Sequence, residues 1–104
     1  MRMLFVVKPT RGPDWDTSKP LQEQDGWPEH AAFMNRLAAA GFVVLGGPVS
    51  EDGQVMLIVD AADEDEIRSK LAGDPWRQSG LLESDSIERW TILLDAADPD
   101  ASLS

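Results

Sequence analysis

The chain has 104 residues, no cysteine, a single histidine and a formal net charge of −10. That length supports one domain with a modest core, for which association with a second copy is a natural supplement. The composition excludes disulfides, cysteine nucleophiles and thiolate or histidine-rich metal sites, leaving only a carboxylate site for a hard ion. Charge is unevenly spread: residues 1–50 carry 5 basic and 5 acidic side chains, and the remainder 4 and 14. So acidic a second half repels nucleic acid and anionic lipid, and neither is an expected partner.

Residues 3–8, Met-Leu-Phe-Val-Val-Lys, are apolar and β-branched, which predicts a first buried strand stopped by Pro9. The apolar run is too short for a signal peptide or membrane span, so the chain reads as soluble and cytoplasmic. Residues 9–26 hold three prolines, two glycines and no period, a long connection of the kind that is either functional or disordered. Trp15 argues for order, residues 21–25 suit a short helical turn, and Arg11 and Lys19 make this the basic part of the molecule.

Pro28 fits a first helical turn and Gly41 a C′ position, predicting a helix over 27–40. His30, Phe33, Met34, Leu37 and Gly41 then share one inward stripe, while Glu29, Asn35 and Arg36 take the solvated side. The only histidine is therefore aimed where a pocket or a polar partner must satisfy it.

Residues 42–45 form a second strand closed by Gly46-Gly47-Pro48, and residues 55–59 a third, joined by a turn at Glu51-Asp52-Gly53. Asp63 and Glu66 have capping-box spacing, and Ile67 and Leu71 pair at i, i+4, predicting a second helix over 63–72 that ends near Gly73. Asp74-Pro75-Trp76 follows, the proline biasing Asp74 to an extended conformation. Alternation over 87–94 predicts the last strand, and the acidic residues after it a flexible tail. The domain is thus 1–95 and the tail 96–104. The order β-α-β-β-α-β is α+β and ferredoxin-like: an antiparallel four-stranded sheet with two helices on one face. Strand residues apolar on both sides then predict a homodimer through the helix-free face.

His30 is either a satisfied core residue or a proton-transfer group. Asp74 is its natural partner, able to accept from one ring nitrogen and leave the other free, or else it only caps a turn. Gly46, Gly47 and Pro48 either end a strand or let backbone amides approach a ligand oxygen. Trp76 could wall an aromatic pocket, Arg11 could clamp an anionic ligand or stand solvated, and Ser79 could add a hydroxyl but has no sequence-local base. The acidic runs 60–66 and 83–88 match no ion-binding loop and read as solvated faces.

Trp27-Pro28-Glu29-His30, Phe33-Met34, Leu37, Gly41, Gly46-Gly47-Pro48, Asp74-Pro75-Trp76, Gly80-Leu81, Ile87 and Trp90 together resemble the YciI-like (YCII-related) proteins. The resemblance spans residues 1 to about 94, apart from the proline-rich loop. It implies a dimeric α+β barrel in which two ferredoxin-like protomers join through their sheets, each with a pocket. By motif match, His30 and Asp74 take the places of the family's paired histidine and aspartate. The implied chemistry is proton transfer, lyase-like or isomerase-like, on a small cyclic acid or phenol, and the expectation drawn from it is an enzyme that uses no cofactor. A non-catalytic small-molecule-binding module and a purely structural dimer stand beside that expectation.

Overall fold

The computed structural model describes residues 3–103. Met1 and Arg2, which precede the first apolar run, and Ser104, the last residue of the expected tail, lie outside the described residues. The elements are β1 (Leu4–Arg11), α1 (Trp27–Ala39), β2 (Val43–Val49), β3 (Gln54–Asp60), α2 (Glu64–Leu71), α3 (Pro75–Ser79) and β4 (Leu82–Trp90), with a 3-10 turn at Leu21–Glu23. The sheet runs β2-β3-β1-β4, and every neighbouring pair is antiparallel. This is the expected ferredoxin-like α+β arrangement, two interleaved β-α-β units, with one short helix, α3, added to the two expected.

Strand limits differ from the sequence reading for identifiable reasons. β1 passes through Pro9 to Arg11, with Pro9 opposite Asp85 on β4. Pairing with β3 has already ended at Val7–Leu57, and the Pro9 carbonyl on that side accepts from the Gln54 side chain. A strand residue's N–H and C=O point the same way, so the missing donor falls where no ladder needs it. β2 likewise continues through Gly46-Gly47-Pro48, which pair with Leu57, Met56 and Val55; these residues lie within the strand and do not end it. Gly46 suits the close packing there, because a Cβ would stand 2.7 Å from the Leu57 Cδ2 and the Leu57 side chain would have to shift. β4 occupies Leu82–Trp90 and not 87–94, since Trp90 already opposes Leu4 at the end of β1.

The helices obey the local signals more closely. Gly41 takes φ 81° at the end of α1, with Phe42 N–H bonded to Leu37 O and Gly41 N–H to Ala38 O, a Schellman ending. Asp63 caps α2 by accepting from Glu66 N–H at 2.8 Å, and Glu66 reaches back to Ala62 N–H at 3.0 Å. Ile67 and Leu71 are buried beneath α2 with Phe5, Val7, Val43, Leu57 and Val59. Met34 and Leu37 of α1 pack on the same cluster, so α1 and α2 share one face of the sheet. The α1 stripe is half-buried, not sealed: no residue of α1 is fully buried.

A second cluster sits at the end of the sheet, where Trp15, Trp76, Leu81 and Leu82 gather with Leu21 and Trp27. Trp15 anchors the long connection after β1. Gln24 staples it by accepting from Asp16 N–H and donating to the Asp16 and Lys19 carbonyls. Asp16 accepts from the Ser18 hydroxyl and amide, which hold its carboxyl below the usual value. No helix among the described residues is long and apolar enough to cross a membrane.

Candidate active site

The second cluster is where α1 begins and α3 begins, and their first turns bring His30 and Asp74 together. Pro75 holds Asp74 extended, at φ −65° and ψ 125°, as the N-cap of α3. One carboxylate oxygen, Oδ1, accepts from the Trp76 amide at 3.1 Å and lies 2.7 Å from His30 Nδ1. Asp74 thus caps its helix and meets the histidine with the same atom. Its other oxygen, Oδ2, accepts from Arg77 Nη1. The Asp74 side chain is 0% exposed and that of His30 is 12% exposed.

A carboxylate can only accept, so the His30 proton on this side belongs to Nδ1. In the neutral ring Nε2 then keeps its lone pair, and it makes no hydrogen bond to any described residue. The imidazole lies flat on the Trp76 indole, with centroids 3.8 Å apart and planes 8° from parallel. Trp15 meets Trp76 edge-on at 5.4 Å, Trp27 is tilted against both His30 and Trp76, and Trp76 Nε1 donates to Asp25 O at 2.8 Å. Packing on one face and a carboxylate on one edge leave the ring little freedom to turn.

His30 borders a cavity of about 250 Å³ between α1, β2, β3 and the long connection. Its walls are mainly apolar, from Trp15, Leu21, Trp27, Met34, Val55 and Leu57, with Arg11, Asn35, Gln54 and Arg77 as polar members. Asn35, expected on the solvated side, borders it as well. Gly46 and Gly47 contribute the β2 wall. Because β2 is an edge strand, its alternate amides have no strand partner. Arg11 is pinned, not loose: it donates to Gly53 O at 2.8 Å and lies 4.5 Å over the Trp15 ring.

Six of the eight residues singled out from sequence therefore border one cavity or directly support it: His30, Asp74, Gly46, Gly47, Trp76 and Arg11. Two lie apart. Pro48 is outside the lining, and the Ser79 hydroxyl donates to Trp76 O at 3.2 Å and borders a separate cleft with Asp14, Asp25 and Glu29. Sequence reasoning overlooked Arg77 and Asp85. Arg77 grips Asp85 with two prongs, at 3.0 and 2.6 Å, while reaching Asp74 with the third nitrogen. The i, i+3 spacing of Asp74 and Arg77 was the available signal. Asp85 was hidden in an acidic run that reads as a solvated face. No group of three or more histidine, cysteine or acidic side chains that could hold a metal ion occurs among the described residues.

A family model for the YCII-related domain matches residues 3–91. Among solved structures, the chain is similar to 5-chloro-2-hydroxyhydroquinone dehydrochlorinase (TftG) from Burkholderia phenoliruptrix AC1100, in its complex with 2,5-dihydroxybenzoquinone. The two are 28% identical, with a TM-score of 0.63, covering 86% of this chain and 94% of that one. No curated protein matches the sequence.

Proposed function

As the chain belongs to the YCII-related family, we propose that it is a small cytoplasmic enzyme that moves a proton on a cyclic or aromatic substrate without a cofactor. The observation carrying this reading is the 2.7 Å contact of His30 Nδ1 with fully buried Asp74, which leaves Nε2 as a free base beside an apolar cavity. Nε2 takes a proton from an O–H or activated C–H of the substrate. The resulting imidazolium is stabilised by Asp74 and returns the proton to a different atom in an isomerisation, or to solvent when a leaving anion departs. Arg11 and whichever one of the Gly46 and Gly47 amides points away from β3 hold the substrate oxygen on which charge develops, and Trp27 and Trp76 frame the site for a planar ring. Pro48 and Ser79, which do not border the cavity, have no part in it. The dehydrochlorinase likeness supports this class of substrate.

The protein acts as a homodimer in this reading. On the helix-free face of the sheet Val6 and Met56 are only half-buried, while Leu45 and Trp90 are 67% and 43% exposed. Sedimentation should show a dimer, and a clean monomer of 11.4 kDa at micromolar concentration would refute that part.

The function is tested with a panel of hydroxyquinones, phenols, lactones and cyclic acids, screened by thermal shift and by quenching of tryptophan fluorescence, then assayed for turnover. Binding with turnover that His30→Asn abolishes supports the enzyme. Binding without turnover makes the chain a small-molecule-binding module, and a panel that leaves both signals unmoved makes the pair structural.

A further inference from the structure

The geometry points to Arg77, held by Asp85, as the positioning residue that keeps Asp74 ionised and so keeps the His30 Nε2 lone pair free. The inference rests on reading His30 as the proton acceptor. It concerns a residue that never needs to touch the substrate.

Four side chains stand in a row across the corner between α1, α3 and β4: His30, Asp74, Arg77 and Asp85. The Asp74 side chain is 0% exposed, those of Arg77 and Asp85 only 10% and 12%. A carboxylate so buried persists as an anion only with strong compensation. Two of its contacts are with the Trp76 amide and the His30 ring, both neutral donors when His30 is a base. The third, Arg77, is the only full positive charge it touches among the described residues. Arg77 therefore supplies the compensation that His30 would otherwise have to supply by becoming an imidazolium.

Asp85 fixes how that charge is presented. Its two oxygens take Nε and Nη2, setting the guanidinium plane, and leave Nη1 for Asp74 Oδ2. With Oδ2 occupied, Oδ1 is the oxygen left for His30. Asp85 stands opposite Pro9 in the ladder, so the row is anchored to the central strand of the sheet.

Removing the charge at position 77 has a defined chemical outcome. The buried Asp74 carboxylate recovers neutrality by gaining a proton, either on itself, so that it donates to Nδ1 and turns the ring to the other tautomer, or through an imidazolium beside it. Nε2 is protonated in both cases, and the base is lost.

The test reads ¹⁵N chemical shifts of the His30 ring at neutral pH in the ligand-free protein, so its result does not depend on finding a substrate. The wild type should show protonated Nδ1 and unprotonated Nε2. Arg77→Met should lower the population with free Nε2 by about tenfold or more, the worth of one charge-assisted hydrogen bond. Arg77→Gln, neutral but still a donor, should do the same and decides the matter should the Met variant not fold. Arg77→Lys, which keeps the charge, should retain the wild-type pattern. A folded neutral variant with the wild-type ring spectrum overturns the inference, as does a Lys variant that behaves like the neutral ones. Protonated Nε2 in the wild type itself would instead overturn the proposed function on which the inference rests.

Discussion

The two hydrophobic clusters of this small domain are built by different means. Beneath α2, Phe5, Val7, Leu57, Val59, Ile67 and Leu71 form an aliphatic and phenyl layer between helix and sheet, supplied by periodic elements. At the end of the sheet, Trp15, Trp27, Trp76, Leu81 and Leu82 come from a connection, two helix starts and a strand start, and the polar row from His30 to Asp85 runs beside them. The first cluster holds the fold together and lends the cavity only apolar wall, through Leu57 and the adjoining Met34 and Val55. The second shapes a pocket and fixes a buried charge, so a fault there should cost function along with stability.

That contrast can be broken most forcefully at Trp76, which is 2% exposed and touches Trp15, Trp27 and His30. Trp76→Ala should cost ~3–5 kcal/mol in thermal or denaturant unfolding and should free the His30 ring. Ile67→Ala in the other cluster should cost a similar ~2–5 kcal/mol while leaving the His30 spectrum as in the wild type. An Ile67 variant that disturbs the ring as much as Trp76→Ala would erase the distinction. Next in size is Asp74→Ala, which leaves Arg77 Nη1 and one His30 donor without a partner in a buried corner while Asp85 still pairs the guanidinium, and should cost ~3 kcal/mol. Asp63→Ala removes only the α2 cap and should cost ~1 kcal/mol with the cavity unaltered.

How much of this was legible in the sequence follows the same division. Where a period or a cap governs, the residues spoke directly: Gly41 ends α1, Asp63 starts α2, and the stripe from His30 to Leu37 faces inward. Where pairing governs, they did not. Pro9 looked like a stop because its tolerance depends on β3 ending its pairing at Leu57, and Gly46-Gly47-Pro48 looked like a turn because what Gly46 suits is the Leu57 side chain across the ladder. His30 and Asp74 were found because each carried its own local constraint, the helical stripe and the following proline. Arg77 and Asp85 were missed because their meaning lies in each other, eight residues apart on α3 and β4.

The smallest expected effect lies in the connection between the clusters. The Asp16 carboxyl is held below its ordinary value by Ser18, so its contribution is present above the unfolded-state value and is lost as pH falls through the lower folded-state one. Asp16→Asn should therefore cost slightly at neutral pH and nothing at the acid end, visible as a marginally lower plateau and a flatter limb below about pH 4 in a melting-temperature profile.

The central claim, a His30 base oriented by Asp74, is met most directly by deuterium exchange at the ring carbons of 2,5-dihydroxybenzoquinone and of the panel compounds that bind. The wild type should accelerate exchange by ~10²-fold or more over both His30→Asn and Asp74→Asn, the usual worth of a positioned proton acceptor. Equal exchange rates for the wild type and the His30 variant across the whole panel would contradict the account.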